Sequence, residues 1–246
     1  MKKVLITREK GESEKFAEKI KKYGLEAVVF PTIKTVPLDF PLEDIYNYDV
    51  FVFTSKNAIK YFFMKVKPET LRGKTILAVG EKTKANLEKI GFKDVIVPDV
   101  FSSEGLSDFF LKNIDFFVDK KILIPRAKKG MNTLIDNLVN KVKEIKVIPV
   151  YETILNIPEN KEKVKDLFEK KEIDFVVFTS PSTFRNFLAI FKEKGREYLK
   201  EVCITVIGST TKKAVEKEGL SVCIVPEKFT VDEIIREIKN KAKCVK

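Results

Sequence analysis

The sequence predicts an α/β protein with two doubly wound domains, each containing a parallel sheet of about five strands. Two observations support this fold class. Short apolar runs alternate with amphipathic stretches along all 246 residues, and the order of the runs and of the turns after them occurs twice. At a typical ~150 residues per domain, a chain of this length suits two domains.

The predicted strands are apolar at almost every position rather than at every second one. This pattern is typical of strands buried on both faces, as in a parallel sheet covered by helices. The runs are Val4–Ile6, Val28–Phe30, Val50–Phe53, Ile76–Val79, Val95–Val97, Ile122–Ile124, Val147–Ile148, Phe175–Phe178, Ile204–Ile207 and Val222–Val225.

The repeat is clearest in two pairs of segments. Residues 49–57 align with 174–182, and residues 79–83 align with 207–211. A weaker match aligns residues 5–8 with 123–126. The sequence therefore predicts a group of two strands and a group of three strands, followed by both groups again.

Two partitions into domains fit this repeat. In the first partition, two tandem domains are divided near residue 118. The extended, proline-flanked segments Thr32–Pro37 and Val150–Thr153 favour another, in which the chain crosses twice between lobes. In that partition each lobe is flavodoxin-like and a cleft between them binds the ligand. Its domains are residues 1–35 with 154–246, and an inserted domain of residues 37–149.

Several kinds of catalytic site are excluded by composition. The chain has no histidine, which rules out Ser-His-Asp and Cys-His nucleophiles and H-E-x-x-H zinc sites. We find no ligand spacing for a metal, no G-x-G-x-x-G after the first strand and no P-loop. The sequence therefore contains no recognisable motif for a metal or a nucleotide cofactor.

The three cysteines form no C-x-x-C pair. Cys203 and Cys223 lie in apolar runs, so we expect them to be small core side chains in a reducing cytoplasm. No apolar run approaches the ~20 residues that span a bilayer. Met1 leads directly into a strand-length run with no secretory signal, which also favours the cytoplasm.

The net charge of +11 has two explanations. The 47 basic residues, of which 41 are lysines and 6 are arginines, exceed the 36 acidic ones. This excess fits either lysine-rich solvated helix faces or attraction to a polyanion. The polyanion could be a nucleic acid or a polycarboxylate. The sequence lacks basic motifs interleaved with aromatic residues, which argues against nucleic acid.

Hydroxyl or arginine side chains follow most of the predicted strands. Ligands of open α/β sheets bind beyond the carboxyl ends of the strands, where backbone N–H groups also point outward. Any one hydroxyl, such as that of Ser55 or Ser180, is also explained as a helix cap. Taken together, the turns indicate two sets of donors for a ligand with many carboxylates. The candidate binding residues are Arg8, Thr54, Ser55, Asn57, Gly80, Thr83, Ser103, Arg126, Thr179, Ser180, Ser182, Gly208, Thr210 and Thr211.

These motifs, in this order, resemble the uroporphyrinogen-III synthase family. The resemblance runs from residue 4 to about residue 238. It is carried by Val4–Arg8, Phe53–Ala58, Val79–Thr83, Ser103–Leu106, Ile124–Arg126, Val150–Thr153, Phe178–Ser182 and Ile207–Thr211.

The resemblance implies an activity and a role for one tyrosine. The substrate would be hydroxymethylbilane, a linear tetrapyrrole with eight carboxylates. The enzyme would remove its hydroxyl as water, invert ring D through a spiro intermediate and close the ring to uroporphyrinogen III without a cofactor. Tyr151 matches the family tyrosine near the departing hydroxyl, where a neutral phenol can donate a proton or a hydrogen bond. A half-buried hinge aromatic is the structural alternative for Tyr151.

The same resemblance implies a monomer with mobile lobes, and transient contact with the upstream bilane-forming enzyme is a further expectation. Neither a nucleic acid nor a membrane is expected as a partner. A second class of function stays open at this point, namely a two-lobed anion-binding or regulatory module without catalysis.

Overall fold

A computed structural model describes residues 1–100, 103–130 and 132–244. The strands are β1 (Lys3–Ile6), β2 (Glu26–Val29), β3 (Ile33–Pro37), β4 (Val50–Phe53), β5 (Thr75–Ala78), β6 (Val95–Ile96), β7 (Lys121–Ala127), β8 (Glu144–Leu155), β9 (Phe175–Phe178) and β10 (Cys203–Val206). Two short 3-10 helices lie at Ile45–Asn47 and Pro68–Leu71.

The α-helices are α1 (Lys10–Lys21), α2 (Lys56–Phe62), α3 (Glu81–Glu88), α4 (Ser103–Lys112), α5 (Ile114–Phe117), α6 (Thr133–Leu138), α7 (Lys161–Glu169), α8 (Pro181–Phe191), α9 (Glu193–Lys200), α10 (Ser209–Glu216) and α11 (Val231–Cys244). The chain forms two compact units, Met1–Lys34 with Ile154–Lys246, and Thr35–Thr153.

The first unit contains a four-stranded sheet in the order β10-β9-β1-β2. All three strand pairs are parallel, with Val4 opposite Phe175 and Ala27, for example. An isolated parallel bridge between Thr205 and Ile224 continues the sheet beyond β10. With that bridge, the order is that of a flavodoxin-like sheet, whose switch point lies between β1 and β9.

The second unit contains the six-stranded order β3-β8-β7-β4-β5-β6. From β8 to β6 every neighbouring pair is parallel. The segment β8-β7-β4-β5-β6 repeats the order β2-β1-β9-β10-Ile224 of the first unit. The predicted fold class of two parallel α/β sheets is therefore confirmed.

Alternating residues of each buried strand enter different cores, which explains the continuous apolar runs. In the first sheet, Leu5 and Val176 pack with helix α8 residues such as Phe184. Val4 and Val177 belong to the opposite core, with Phe16, Ile20 and three isoleucines of α11. The second sheet has the same two-sided arrangement.

The strands differ most from prediction at three places. Both segments predicted as extended crossings belong to strands: Ile33–Pro37 forms β3, which takes the second sheet to six strands, and Val150–Thr153 lies within β8, which also contains the predicted run Val147–Ile148. The run Val222–Val225, predicted as a strand, contributes only the bridge at Ile224. Both Cys223 and Ile224 donate their N–H to the carbonyl of Ile204, so a regular ladder does not continue, and Pro226 follows without an N–H.

The expectation that Cys203 and Cys223 are unlinked core thiols is wrong. The two residues form a disulfide, with Cα atoms 5.3 Å apart and a sequence separation of 20. The cause is the hydrogen bonding just described, which holds Cys223 beside the start of β10. Spacing in the sequence does not reveal this pairing, because the contact depends on how the chain returns to the sheet.

Candidate active site

Most candidate residues of the second unit lie on, or directly after, four neighbouring strands. The strand order β8-β7-β4-β5 brings Tyr151, Arg126, Ser55 and Gly80 to successive positions. Because these strands are parallel, their carboxyl ends share one edge of the sheet. The topology therefore collects residues that are up to 96 positions apart in the sequence.

Tyr151 lies on β8 and is 9% exposed. Its hydroxyl lies 3.5 Å from the Ser55 hydroxyl, at the start of α2. Its ring stacks on that of Tyr61, with centroids 5.4 Å apart and an interplanar angle of 22°. The ring is therefore held within the core cluster of this unit while its hydroxyl is beside a candidate binding turn.

Ser55 has two contacts through one oxygen. It caps α2 by accepting a hydrogen bond from the N–H of Ala58 at 3.1 Å, which is the structural role that the sequence allows. The same oxygen is the neighbour of the Tyr151 hydroxyl. In the same turn, Thr54 is exposed, and Asn57 is partly buried in the first turn of α2.

The turn after β5 is built around Gly80 and Thr83. Gly80 precedes α3 with a φ of +91°, a conformation that favours glycine. Thr83 is 6% exposed, and its hydroxyl donates to the carbonyl of Val79 at 3.2 Å. The Thr83 side chain therefore fixes the turn, and backbone N–H groups at the start of α3 are candidate donors to a ligand.

Arg126 is the candidate cation on β7. It is partly buried on β7, and its Nη2 donates to Oδ1 of Asn132 at 2.6 Å. Burial lowers the pKa of its guanidinium below the usual range, though arginine stays charged at neutral pH. The side chain combines a fixed position with a permanent positive charge, which suits a carboxylate.

The first unit carries the matching turns after β1 and β9. Arg8 follows β1 and forms an ion pair with Glu12 at 3.3 Å. Ser180 caps α8 through the N–H of Thr183, in a capping box with that residue. The Ser182 hydroxyl lies 2.9 Å from the Ser180 hydroxyl, and Thr179 is partly buried beside them.

The turn after β10 differs from its counterpart in the second unit. Gly208 has an extended φ of −174°, so the backbone does not require glycine there. A β-carbon at this position would lie 3.3 Å from the ring of Phe229, so the glycine leaves room for that ring. Thr210 is exposed and Thr211 is 2% exposed in the first turn of α10.

The structure brings Ser55 and Tyr151 into direct proximity and places the other candidates at the strand ends of the two units. Ser103 is the first residue of α4, and its side chain lies outside the described part of the chain. The sequence did not indicate Tyr61. Only its contact with Tyr151 reveals it, because a tyrosine in an amphipathic helix is otherwise typical of core packing.

Within the described ranges, no three or more acidic or cysteine side chains are grouped so that they could hold a metal ion. Across the same ranges, none of the helices has the length and apolar character needed to cross a bilayer.

Comparison with known proteins gives one consistent family. The family model described as uroporphyrinogen-III synthase HemD matches residues 14–236. The chain is 30% identical over 252 aligned positions to a uroporphyrinogen-III synthase from Chlorobaculum parvum, covering 99% of this chain and 100% of that protein.

Solved structures agree on the fold. The uroporphyrinogen-III synthetase of Helicobacter pylori gives a TM-score of 0.66 at 18% identity, with 98% of this chain and 100% of that chain covered. A mutant uroporphyrinogen III synthase from Thermus thermophilus gives 0.58 at 16% identity, with 99% and 100% covered.

Proposed function

Because this chain belongs to the uroporphyrinogen-III synthase family, we propose that it closes hydroxymethylbilane into uroporphyrinogen III with Tyr151 as proton or hydrogen-bond donor. The chain is an enzyme of the cyclising lyase type, in tetrapyrrole and haem biosynthesis. The family match does not favour the alternative of an anion-binding module without catalysis.

The position of Tyr151 is the observation that carries this proposal. Its phenol lies 3.5 Å from the Ser55 hydroxyl, on a strand whose carboxyl end shares an edge with the candidate binding turns. The hydroxyl of the substrate departs as water only if it receives a proton. A neutral phenol can donate that proton or a strong hydrogen bond to the substrate, while the phenol oxygen accepts a hydrogen bond from the Ser55 hydroxyl.

Binding of the eight substrate carboxylates requires many donors rather than one strong site. In the second unit these would be Arg126 and the turns at Ser55 and Gly80, with the exposed Thr54 and the partly buried Asn57 beside them. In the first unit they would be Arg8 and the turns at Thr179–Ser182 and Gly208–Thr211. Helix N-termini supply backbone N–H groups at most of these turns, which explains why few basic side chains are needed.

Positioning is the main catalytic task in this proposal. Without enzyme, the linear intermediate closes to the uninverted isomer, so the protein must hold one conformation long enough for ring D to invert. Fixing reactive groups in a productive geometry is a large source of rate enhancement in its own right.

We further propose that the enzyme acts as a monomer and receives its substrate during transient contact with the upstream bilane-forming enzyme. Nucleic acid and membrane have no part in the proposed reaction. The predicted domain boundaries, the cleft and the cytoplasmic location stay predictions.

Replacement of Tyr151 by phenylalanine tests the proposal. The ring keeps its stacking and loses only the hydroxyl, so turnover should fall roughly 10²–10⁴-fold, the range for positioned acid–base groups. Tyr48→Phe is the matched control, because Tyr48 is 2% exposed in the same unit and its hydroxyl donates to Oε1 of Glu144, which is not a candidate site residue.

The measurement is turnover of fresh hydroxymethylbilane with product isomers resolved, alongside the melting temperature of each variant. A slow Tyr151→Phe enzyme with normal melting supports the proposed donor. If Tyr151→Phe retains the turnover of Tyr48→Phe, another group supplies the proton.

A further inference from the structure

Tyr61 is the aromatic residue against which Tyr151 is packed. It lies near the end of α2, six positions after Ser55, and it is 4% exposed. The two tyrosine rings are nearly parallel, with centroids 5.4 Å apart. Helix α2 therefore contacts Tyr151 at two points, at the phenol oxygen through Ser55 and at the ring face through Tyr61.

Tyr61 is itself anchored by the strand next to β8. Its hydroxyl donates to the carbonyl oxygen of Thr35 at 2.9 Å and lies 2.8 Å from the Thr35 hydroxyl. Thr35 is on β3, which neighbours β8 at the edge of the sheet. The Lys60 ammonium lies 4.8 Å from the centroid of the Tyr61 ring. Movement of the Tyr61 ring away from Tyr151 would therefore break the contacts of its hydroxyl with Thr35 on β3.

This arrangement constrains the side-chain torsion that sets the position of the phenol oxygen. Rotation of the Tyr151 side chain about its Cα–Cβ bond would swing the phenol oxygen away from Ser55. Stacking on an anchored ring opposes that rotation, because aromatic pairs prefer a defined separation and offset. A shift of the phenol by about 1 Å is enough to cost up to about 100-fold in rate.

We propose that Tyr61 is a positioning residue, which fixes the Tyr151 ring so that its hydroxyl stays beside Ser55 and faces the departing hydroxyl of the substrate. The proposal rests on the proposed role of Tyr151. Tyr61 itself does not touch the substrate in this account, since it is almost fully buried.

Two substitutions at Tyr61 distinguish the contribution of its ring from that of its hydroxyl. Tyr61→Phe keeps the stack and loses the bonds to Thr35, so kcat should fall by less than about tenfold. Tyr61→Met removes the ring, while the flexible side chain still fills much of the space. Its kcat should fall about 10- to 100-fold, with KM close to that of the unmodified enzyme, because the binding turns are unchanged.

Tyr48→Met is the matched control for loss of a buried tyrosine. Tyr48 is 2% exposed in the same core cluster, but its hydroxyl bonds to Glu144 at the amino end of β8, whereas Tyr151 lies near the other end. Both methionine variants should lower the melting temperature. Only Tyr61→Met should lower kcat.

A double-substitution cycle shows whether Tyr61 acts through Tyr151. In a Tyr151→Phe background the donor is already absent, so adding Tyr61→Met should change kcat by less than about threefold, well below its effect in the unmodified enzyme. A purely structural role predicts the same fold loss in both backgrounds. If Tyr61→Met is unstable, Tyr61→Leu in the same cycle gives the comparison.

The outcomes separate this inference from the proposed function. A slow Tyr151→Phe enzyme together with full kcat in Tyr61→Met and Tyr61→Leu overturns the positioning role alone. Equal losses in both backgrounds of the cycle also overturn it. If Tyr151→Phe is as fast as the unmodified enzyme, the assignment of Tyr151 as the donor is wrong, and the positioning role of Tyr61 is wrong with it.

Discussion

At the scale of single residues, equivalent serines of the repeat have different neighbours. Ser55 and Ser180 both cap a helix with nearly the same backbone conformation, at φ of −162° and −160°. The second contact of Ser55 is the Tyr151 hydroxyl, whereas that of Ser180 is the Ser182 hydroxyl. The repeat therefore supplies two similar turns, and one tyrosine on β8 makes one of them the candidate site of proton donation.

The buried threonines of the two glycine turns should contribute less than Tyr151. In Thr83→Ala and Thr211→Ala the backbone N–H groups of each turn remain, and a neutral hydrogen bond contributes about 0.5–1.5 kcal/mol net. We expect each variant to lose less than about tenfold in turnover.

The Thr83→Ala, Thr211→Ala double variant should also release more uncyclised bilane, which raises the share of the uninverted isomer. Resolution of the product isomers measures this share, with Thr70→Ala as the control because Thr70 is exposed and precedes β5. A single threonine variant without activity would show that the hydroxyl, and not Tyr151, carries the chemistry.

At the scale of elements, the sequence predicts buried strands well and edge segments poorly. Runs such as Phe175–Phe178 are covered by helices on both faces, so hydrophobicity alone identifies them. The residues of strand β3 are partly buried or exposed, so they form no apolar run. The strand forms because β8 lies next to it in the sheet, and a local sequence pattern does not show that neighbour. The run Val222–Val225 is apolar but lies at an edge of the first sheet, beside β10, where its one bridge among the described residues is that of Ile224 with Thr205.

In the candidate site too, features set by local sequence are predictable and features set by the order of the strands are not. The candidate turns are predictable because they follow buried strands and carry hydroxyl or arginine side chains. The stacking of Tyr61 on Tyr151 was not predictable, since it joins a helix to a strand 90 positions further along the chain, and only the folded sheet order brings the two elements together.

The disulfide should stabilise the end of the first sheet. A cross-link that closes a loop of about 20 residues contributes about 3 kcal/mol to the free energy of unfolding. We expect Cys203→Ser or Cys223→Ser to lose that amount in denaturant unfolding, and a reducing agent to lower the stability only of those proteins that keep the disulfide. Cys244→Ser, which leaves the disulfide intact, is the control. Equal stability of all variants under oxidising conditions would mean that the cross-link is absent in solution.

At the scale of the whole molecule, the chain enters and leaves the second unit through two adjacent strands. The unit Thr35–Thr153 begins within β3 and ends within β8, and its core cluster includes Val150 and Tyr151. We therefore propose it as a domain inserted into the rest of the chain, close to the predicted residues 37–149.

An excised fragment of residues 35–153 should unfold cooperatively, because it keeps the whole core cluster around Tyr151. A fragment of residues 1–118 should not fold, because β1 loses its partner β9 and β4 loses its partner β7. Denaturant unfolding followed by circular dichroism distinguishes the two. Cooperative folding of 1–118 would instead establish tandem domains divided near residue 118.

The central claim is that this chain directs ring closure to the inverted isomer. The most direct measurement is incubation of the purified protein with freshly made hydroxymethylbilane, followed by oxidation and separation of the product isomers. We predict uroporphyrinogen III as the main product, with the uninverted isomer dominating in parallel samples that contain heat-denatured protein or none. The same high share of uninverted isomer with and without active protein would contradict the account.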